Sequence, residues 1–91
     1  MKITVTQKDI NRGSPGSCGK CPIALAVTRA FHYKWNVSVG TYWITLRKKN
    51  VFGFCRSFEL PEKVTKFIAS FDAYERVKPF SFNMEEIRDE D

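Results

Sequence analysis

Cys18-Gly19-Lys20-Cys21-Pro22 is the stretch of this 91-residue sequence whose residue types and spacing point most directly to chemistry. Two thiols three positions apart at a helix start admit three readings. The first is thiol redox chemistry, because a helix N-terminus and the neighbouring Lys20 stabilise a thiolate. Pro22 at the first helical position argues against it, since both cysteines then sit at or before the cap. A dozen loop-like residues also separate the pair from the preceding strand, and no proline stands before the later hairpin strands to face it. The second reading is half of a tetrahedral zinc site, for which only His32 and Cys55 remain as further ligands. On a regular helix His32 lies roughly 15 Å from the pair, and three thiolates without a fourth ligand make a poor structural site. The third reading, which we favour, is a tight turn whose cysteines pack as small apolar side chains or close a minor disulfide. A ring that short contributes about 2 kcal/mol.

The second chemical feature is basic and aromatic. Arg47, Lys48 and Lys49 fall at a predicted hairpin tip, with Lys34, Arg29, Arg56 and an exposed Trp43 close in sequence. Cations neutralise phosphates and an aromatic ring stacks on a base, so the patch suits sequence-indifferent nucleic-acid binding through three to five phosphate contacts, roughly. The plain alternative has equal weight: lysines at a tip are solvated and discourage edge-to-edge strand pairing. No helix-turn-helix spacing, complete zinc finger or single-stranded RNA motif accompanies the patch. His32 is the sole histidine and has no nucleophile arranged beside it, and no Gly-rich loop leads into a helix with a phosphate-binding lysine. The reading is therefore non-enzymatic.

These residues need elements to hold them. Lys2 to Thr6 alternates as a short strand with Ile3 and Val5 on one face. Thr6 and Asp9 have capping-box spacing for one helical turn ending at Gly13. Pro22 opens a helix that the spacing of Ile23, Val27, Ala30 and Phe31 carries to about Tyr33. Val37 and Val39 form a strand, and Tyr42 to Arg47 pairs with Phe52 to Phe58 in a hairpin. A three-residue loop at Lys48, Lys49 and Asn50 sets Leu46 opposite Phe52, Ile44 opposite Phe54 and Trp43 opposite Cys55, keeping one face apolar and Cys55 outside. Leu60-Pro61-Glu62 starts a second main helix with proline at its first position, and Val64, Phe67, Ile68 and Phe71 make its apolar stripe. Phe80, Phe82 and Met84 alternate as a last strand. The expected fold is a single α+β domain over residues 1–84, order β-α-β-β-β-α-β, with a mainly antiparallel sheet packed against two helices and an acidic tail over 85–91.

Several phrases occur together: Ile3-Thr4-Val5-Thr6-Gln7, Asp9-Ile10 with Gly13, Cys18-x-x-Cys21-Pro22 with Ala24 and Ala26, Leu60-Pro61-Glu62 with Phe71-Asp72-Ala73, and Val77-x-Pro79-Phe80-x-Phe82. The set resembles a family of small cytosolic proteins of unassigned function encoded by bacteria and their phages. The likeness fades between about Lys34 and Phe58, and it carries no catalytic residues across. It implies a compact domain in a bacterial or phage setting.

Composition bounds the rest. A chain of this size buries roughly 60–65% of its unfolded surface, and 43% hydrophobic residues with eight Phe suffice for one core. Three cysteines fit a reducing compartment. No apolar run approaches the ~18 residues of a membrane span, so the expectation is a cytoplasmic protein with no membrane partner. The net charge of +5 divides into +9 over residues 1–58, where Asp9 is the single acid, and −4 over residues 59–91. Such polarity suits a macromolecular partner, either a nucleic acid or a host or defence protein, or a homodimer bound head to tail.

Overall fold

A computed structural model describes residues 1–17, 19–50 and 53–86. Strand β1 (Lys2–Val5) leads into helix α1 (Gln7–Arg12), and helix α2 (Pro22–Ala30) follows a loop. Strands β2 (Trp35–Val39), β3 (Trp43–Lys48) and β4 (Cys55–Glu59) precede helix α3 (Glu62–Asp72), and β5 (Phe80–Asn83) and β6 (Glu85–Glu86) end the described chain. The fold is the expected small α+β domain, with its strands divided between two antiparallel sheets. One holds β1 and β5; the other runs β2-β3-β4-β6.

Local chemistry sets the helix starts. The Thr6 hydroxyl accepts from the Asp9 N–H at 3.2 Å and the Asp9 carboxylate accepts from the Thr6 N–H at 2.9 Å, completing the capping box. Gly13 ends that turn, its N–H donating to the Asp9 carbonyl at 2.8 Å. A Cβ on Gly13 would stand 2.6 Å from Pro22 Cδ, so only glycine lets α1 close against the start of α2. Pro22 is the first residue of α2, as its fixed φ predicts.

The helix ends differ from the expectation. Helix α2 stops at Ala30 because Tyr33 N–H donates to Thr28 C=O and His32 N–H to Arg29 C=O, the paired bonds of a Schellman motif. Its left-handed position is filled by His32 at φ 56°, not by glycine. The same closure ends α3, with Glu75 N–H to Ser70 C=O, Tyr74 N–H to Phe71 C=O, and Tyr74 at φ 62°. Pro61 is the cap of α3 and Glu62 its first residue, one position later than the sequence suggested.

The β3–β4 hairpin keeps the expected parity and shifts its register. Ile44 pairs with Phe58, Leu46 with Arg56, Arg47 with Cys55 and Trp43 with Glu59. The expected partners Phe54 and Cys55 lie nearer the tip, and Phe52 falls outside the described residues. Lys48 N–H donates to Phe54 C=O at 3.0 Å, which extends the pairing toward the hairpin tip. Asn50 at φ 63° and Gly53 at φ 82° help turn it. The shifted register places Phe58 against Phe31 at the cap of α2 and sends Phe54 out to the sheet's end. Glu85 and Glu86, expected in a solvated tail, pair with Glu59 and Phe58; the rest of that tail lies outside the described residues.

Ile3 and Val5 of β1, Ile23, Ala24, Ala26 and Val27 of α2, Ile44, Leu46 and Phe58 of the larger sheet, Val64 of α3, and Phe82 and Met84 form the buried core. Each of the larger side chains contributes about 1.5–3 kcal/mol by leaving water, the alanines less. Helix α2 touches β1, α1 and β2, so it joins the two sheets. No helix among the described residues is long and apolar enough to cross a membrane.

Candidate functional site

Period two divides the four-stranded sheet into two faces. Val37, Val39, Ile44, Leu46 and Phe58 turn toward the helices and are buried. Trp35, Lys48 and Arg56 lie on that same face by register, but beyond the end of α2, where the sheet projects past its cover. There the side chains interleave. Phe31, the cap residue of α2, meets Trp35 edge-on at 6.3 Å and Phe58 at 6.0 Å, and Trp35 meets Phe54 at 6.3 Å between ring centroids.

Cations cover these rings. Lys48 Nζ stands 5.9 Å from the Trp35 centroid and 5.7 Å from that of Phe54. The Arg56 guanidinium carbon is 5.1 Å from the Phe58 centroid and 5.9 Å from those of Phe31 and Trp35. Contacts of this kind are worth about 0.5–1 kcal/mol when exposed, and here they hold two positive groups on an aromatic floor. Lys49 N–H donates to Lys34 C=O at 3.1 Å, which brings those two lysines to the same end. Phe54 is 57% exposed, so ring surface remains open beside the cations.

The sequence-named residues therefore separate. Lys34, Lys48, Lys49 and Arg56 gather at this end. Arg47 and Trp43 alternate onto the sheet's opposite face, four residues apart on β3, a separation of roughly 13 Å along the strand. Arg29 leaves the patch altogether: its guanidinium binds the Asp9 carboxylate through both nitrogens, at 2.6 and 2.9 Å, and donates to Thr4 C=O at 3.0 Å. Trp35, Phe54 and Phe31, the rings on which the site is built, were not singled out as binding residues. Trp35 two positions before Val37 was the available signal, since it extends the strand's alternation by one step.

Among the described residues no helix covers the opposite face. Its cross-strand rows are Asn36–Arg47–Cys55, Ser38–Thr45–Ser57 and Trp43–Glu59–Glu85. A groove of about 610 Å³ wraps the tip end of the sheet, lined by Asn36, Arg47 and Cys55 of this face and by Lys48 and Phe54 of the other, with Asn50 and Gly53. At the far end the indole of Trp43 lies against Gly40, within 3.8 Å of where a Cβ would stand.

The cysteine junction has a different character. Cys21 caps α2, its sulfur accepting from the Ala24 N–H at 3.4 Å, and only 4% of the residue is exposed. Burial pushes its thiol up from the ordinary value, opposite to the direction a reactive thiolate requires. Cys21 and Cys55 are free thiols, and Cys18 lies outside the described residues. Cys55 is exposed on the open face beside Arg47. Among the described residues no three His, Cys, Asp or Glu side chains gather as a metal-ligand set.

Comparison with protein-family models, with curated proteins and with solved structures finds no match to this chain.

Proposed function

We propose that this protein is a non-enzymatic binding module that holds single-stranded nucleic acid against the Trp35, Lys48, Phe54 and Arg56 end of its larger sheet. The observation that carries the reading is the laying of Lys48 and Arg56 over a run of aromatic rings, in a stretch from Ile10 to Phe58 that contains no acidic residue. Cations at this spacing meet a phosphate backbone, and an open ring accepts a base of any identity. Lys34 and Lys49 extend the positive track. Specificity for a base sequence is not expected, because ring faces stack on any base and the cations serve the phosphate backbone. A bacterial or phage cytoplasmic setting, where single strands arise in replication and transcription, fits this role.

Filter binding of a short oligothymidine at low ionic strength tests the reading. Wild type is expected to bind, and Lys48→Glu with Lys49→Glu to lose binding at least tenfold while melting like wild type. Absence of wild-type binding at low salt would remove the nucleic acid and leave an acidic protein surface, such as a host or defence protein, as the ligand for the same cations. Thiol redox chemistry or zinc at Cys18 and Cys21 is the less favoured alternative, given the burial of Cys21.

A further inference from the structure

The face of the larger sheet turned away from the helices is arranged in three rows with different chemistry. At the tip end stands Arg47, flanked by Asn36 and Cys55. In the middle are three hydroxyls, Ser38, Thr45 and Ser57. At the far end Trp43, 55% exposed, sits beside Glu59 and Glu85. Glu59 and Glu85 are direct cross-strand partners, a like-charge pairing that weakens a sheet. Among the described residues Arg47, Glu59 and Glu85 enter no ion pair.

We infer that this face pairs with the same face of a second copy, about a two-fold axis that runs across the strands through the Ser38–Thr45–Ser57 row. The axis follows from charge. A dyad parallel to the strands would set Arg47 against Arg47 and the glutamates against glutamates. A dyad across the strands keeps each strand over its own counterpart and reverses its direction. The Arg47 row of each copy then faces the Trp43–Glu59–Glu85 row of the other, twice over. Each guanidinium meets the Trp43 indole and, one strand over, the Glu59 carboxylate, a combination that suits Arg. The hydroxyl row, able both to donate and to accept, meets its own copy at the axis. Such an isologous contact closes at two subunits and leaves no open surface to propagate.

The face measures roughly 17 by 19 Å from strand rise and spacing, about 320 Å² per copy and well under the ~800 Å² per partner of a standard interface. The dimer is accordingly weak and strengthens as salt is lowered. Its two basic, aromatic ends point in opposite directions, so the pairing stands independently of what those ends bind.

Charge exchange tests it. Sedimentation equilibrium is run at low salt on nuclease-treated protein, at concentrations on the order of 100 μM, suited to weak association, for wild type, Arg47→Glu and Glu59→Arg. Wild type is expected to show a dimer. Each variant alone presents like charges at both contacts and is expected to sediment as a monomer, while an equimolar mixture restores opposite charges at both and forms the heterodimer. A wild-type monomer under these conditions would overturn the inference, as would variants that self-associate like wild type. A mixture that stays monomeric while both variants keep the wild-type circular dichroism and melting temperature would overturn it as well.

Discussion

Among the described residues Asp9 is the one buried charged side chain, and its surroundings explain how a carboxylate survives there. Burial pushes its pKa up, but the hydrogen bond from Arg29 and those from the Thr6 backbone and hydroxyl outweigh this, leaving it below the ordinary value of 3.8. A carboxyl depressed in the folded state stabilises the fold fully above the unfolded pKa and loses that contribution as pH falls through the folded one. Asp9→Asn is therefore expected to cost about 2 kcal/mol at neutral pH, and to flatten the loss of stability below about pH 4 that denaturant titrations of wild type should show. The capping half of this arrangement, Thr6 with Asp9, was legible as local spacing. Arg29 was not, because its partner lies 20 residues away across two elements. A second residue-scale expectation concerns thiols. Native iodoacetamide labelling followed by peptide mapping should modify Cys55 readily and Cys21 only on unfolding. Rapid labelling of Cys21 in the folded protein would contradict its role as a buried cap.

At the scale of elements, starts were readable and stops were not. Pro22 and the Thr6–Asp9 pair announce helix starts through φ restriction and side-chain capping, which are properties of one to four adjacent residues. The ends of α2 and α3 fall where His32 and Tyr74 take the left-handed conformation that glycine prefers, so the usual stop signal is absent. The Schellman bonds, and not the residue type, end each helix. Tyr74 is 84% exposed and loses little packing on truncation. Tyr74→Gly is thus expected to stabilise the protein by about 1 kcal/mol, read as an upward shift of the urea midpoint with unchanged slope. A lowered midpoint would show that the ring holds the turn. The hairpin teaches a related point. Alternation in Ile44, Leu46, Phe52 and Phe54 set the parity of pairing, yet parity is unchanged by a four-residue shift in the register sum. Residues beyond the alternating pattern chose between them: Asn50 and Gly53 both take positive φ near the tip.

For the whole molecule, the charge split visible along the chain acquires a direction in space. The hairpin tip gathers Lys34, Lys48, Lys49 and Arg56, and the other end of the same sheet carries Glu59 and Glu85. Clusters of basic residues can be counted in a sequence, but whether they share a face depends on register, which is why Arg47 and Trp43 separated from the lysines. Trp35 and Phe54 joined them for the same reason. Binding of nucleic acid at this end would require those two rings to receive a base beside the cations. The most direct test uses Trp43→Phe, which leaves Trp35 as the single tryptophan, and follows its fluorescence during titration with a short oligothymidine. Quenching is expected to saturate, log K should fall against log salt with a slope of about −2 to −3.5, as three to five contacts on a single strand require, and Phe54→Ala should weaken binding about tenfold or more. Unchanged Trp35 emission at low salt, or quenching indifferent to salt and to Phe54→Ala, would contradict the assignment of this end of the sheet as the nucleic-acid surface.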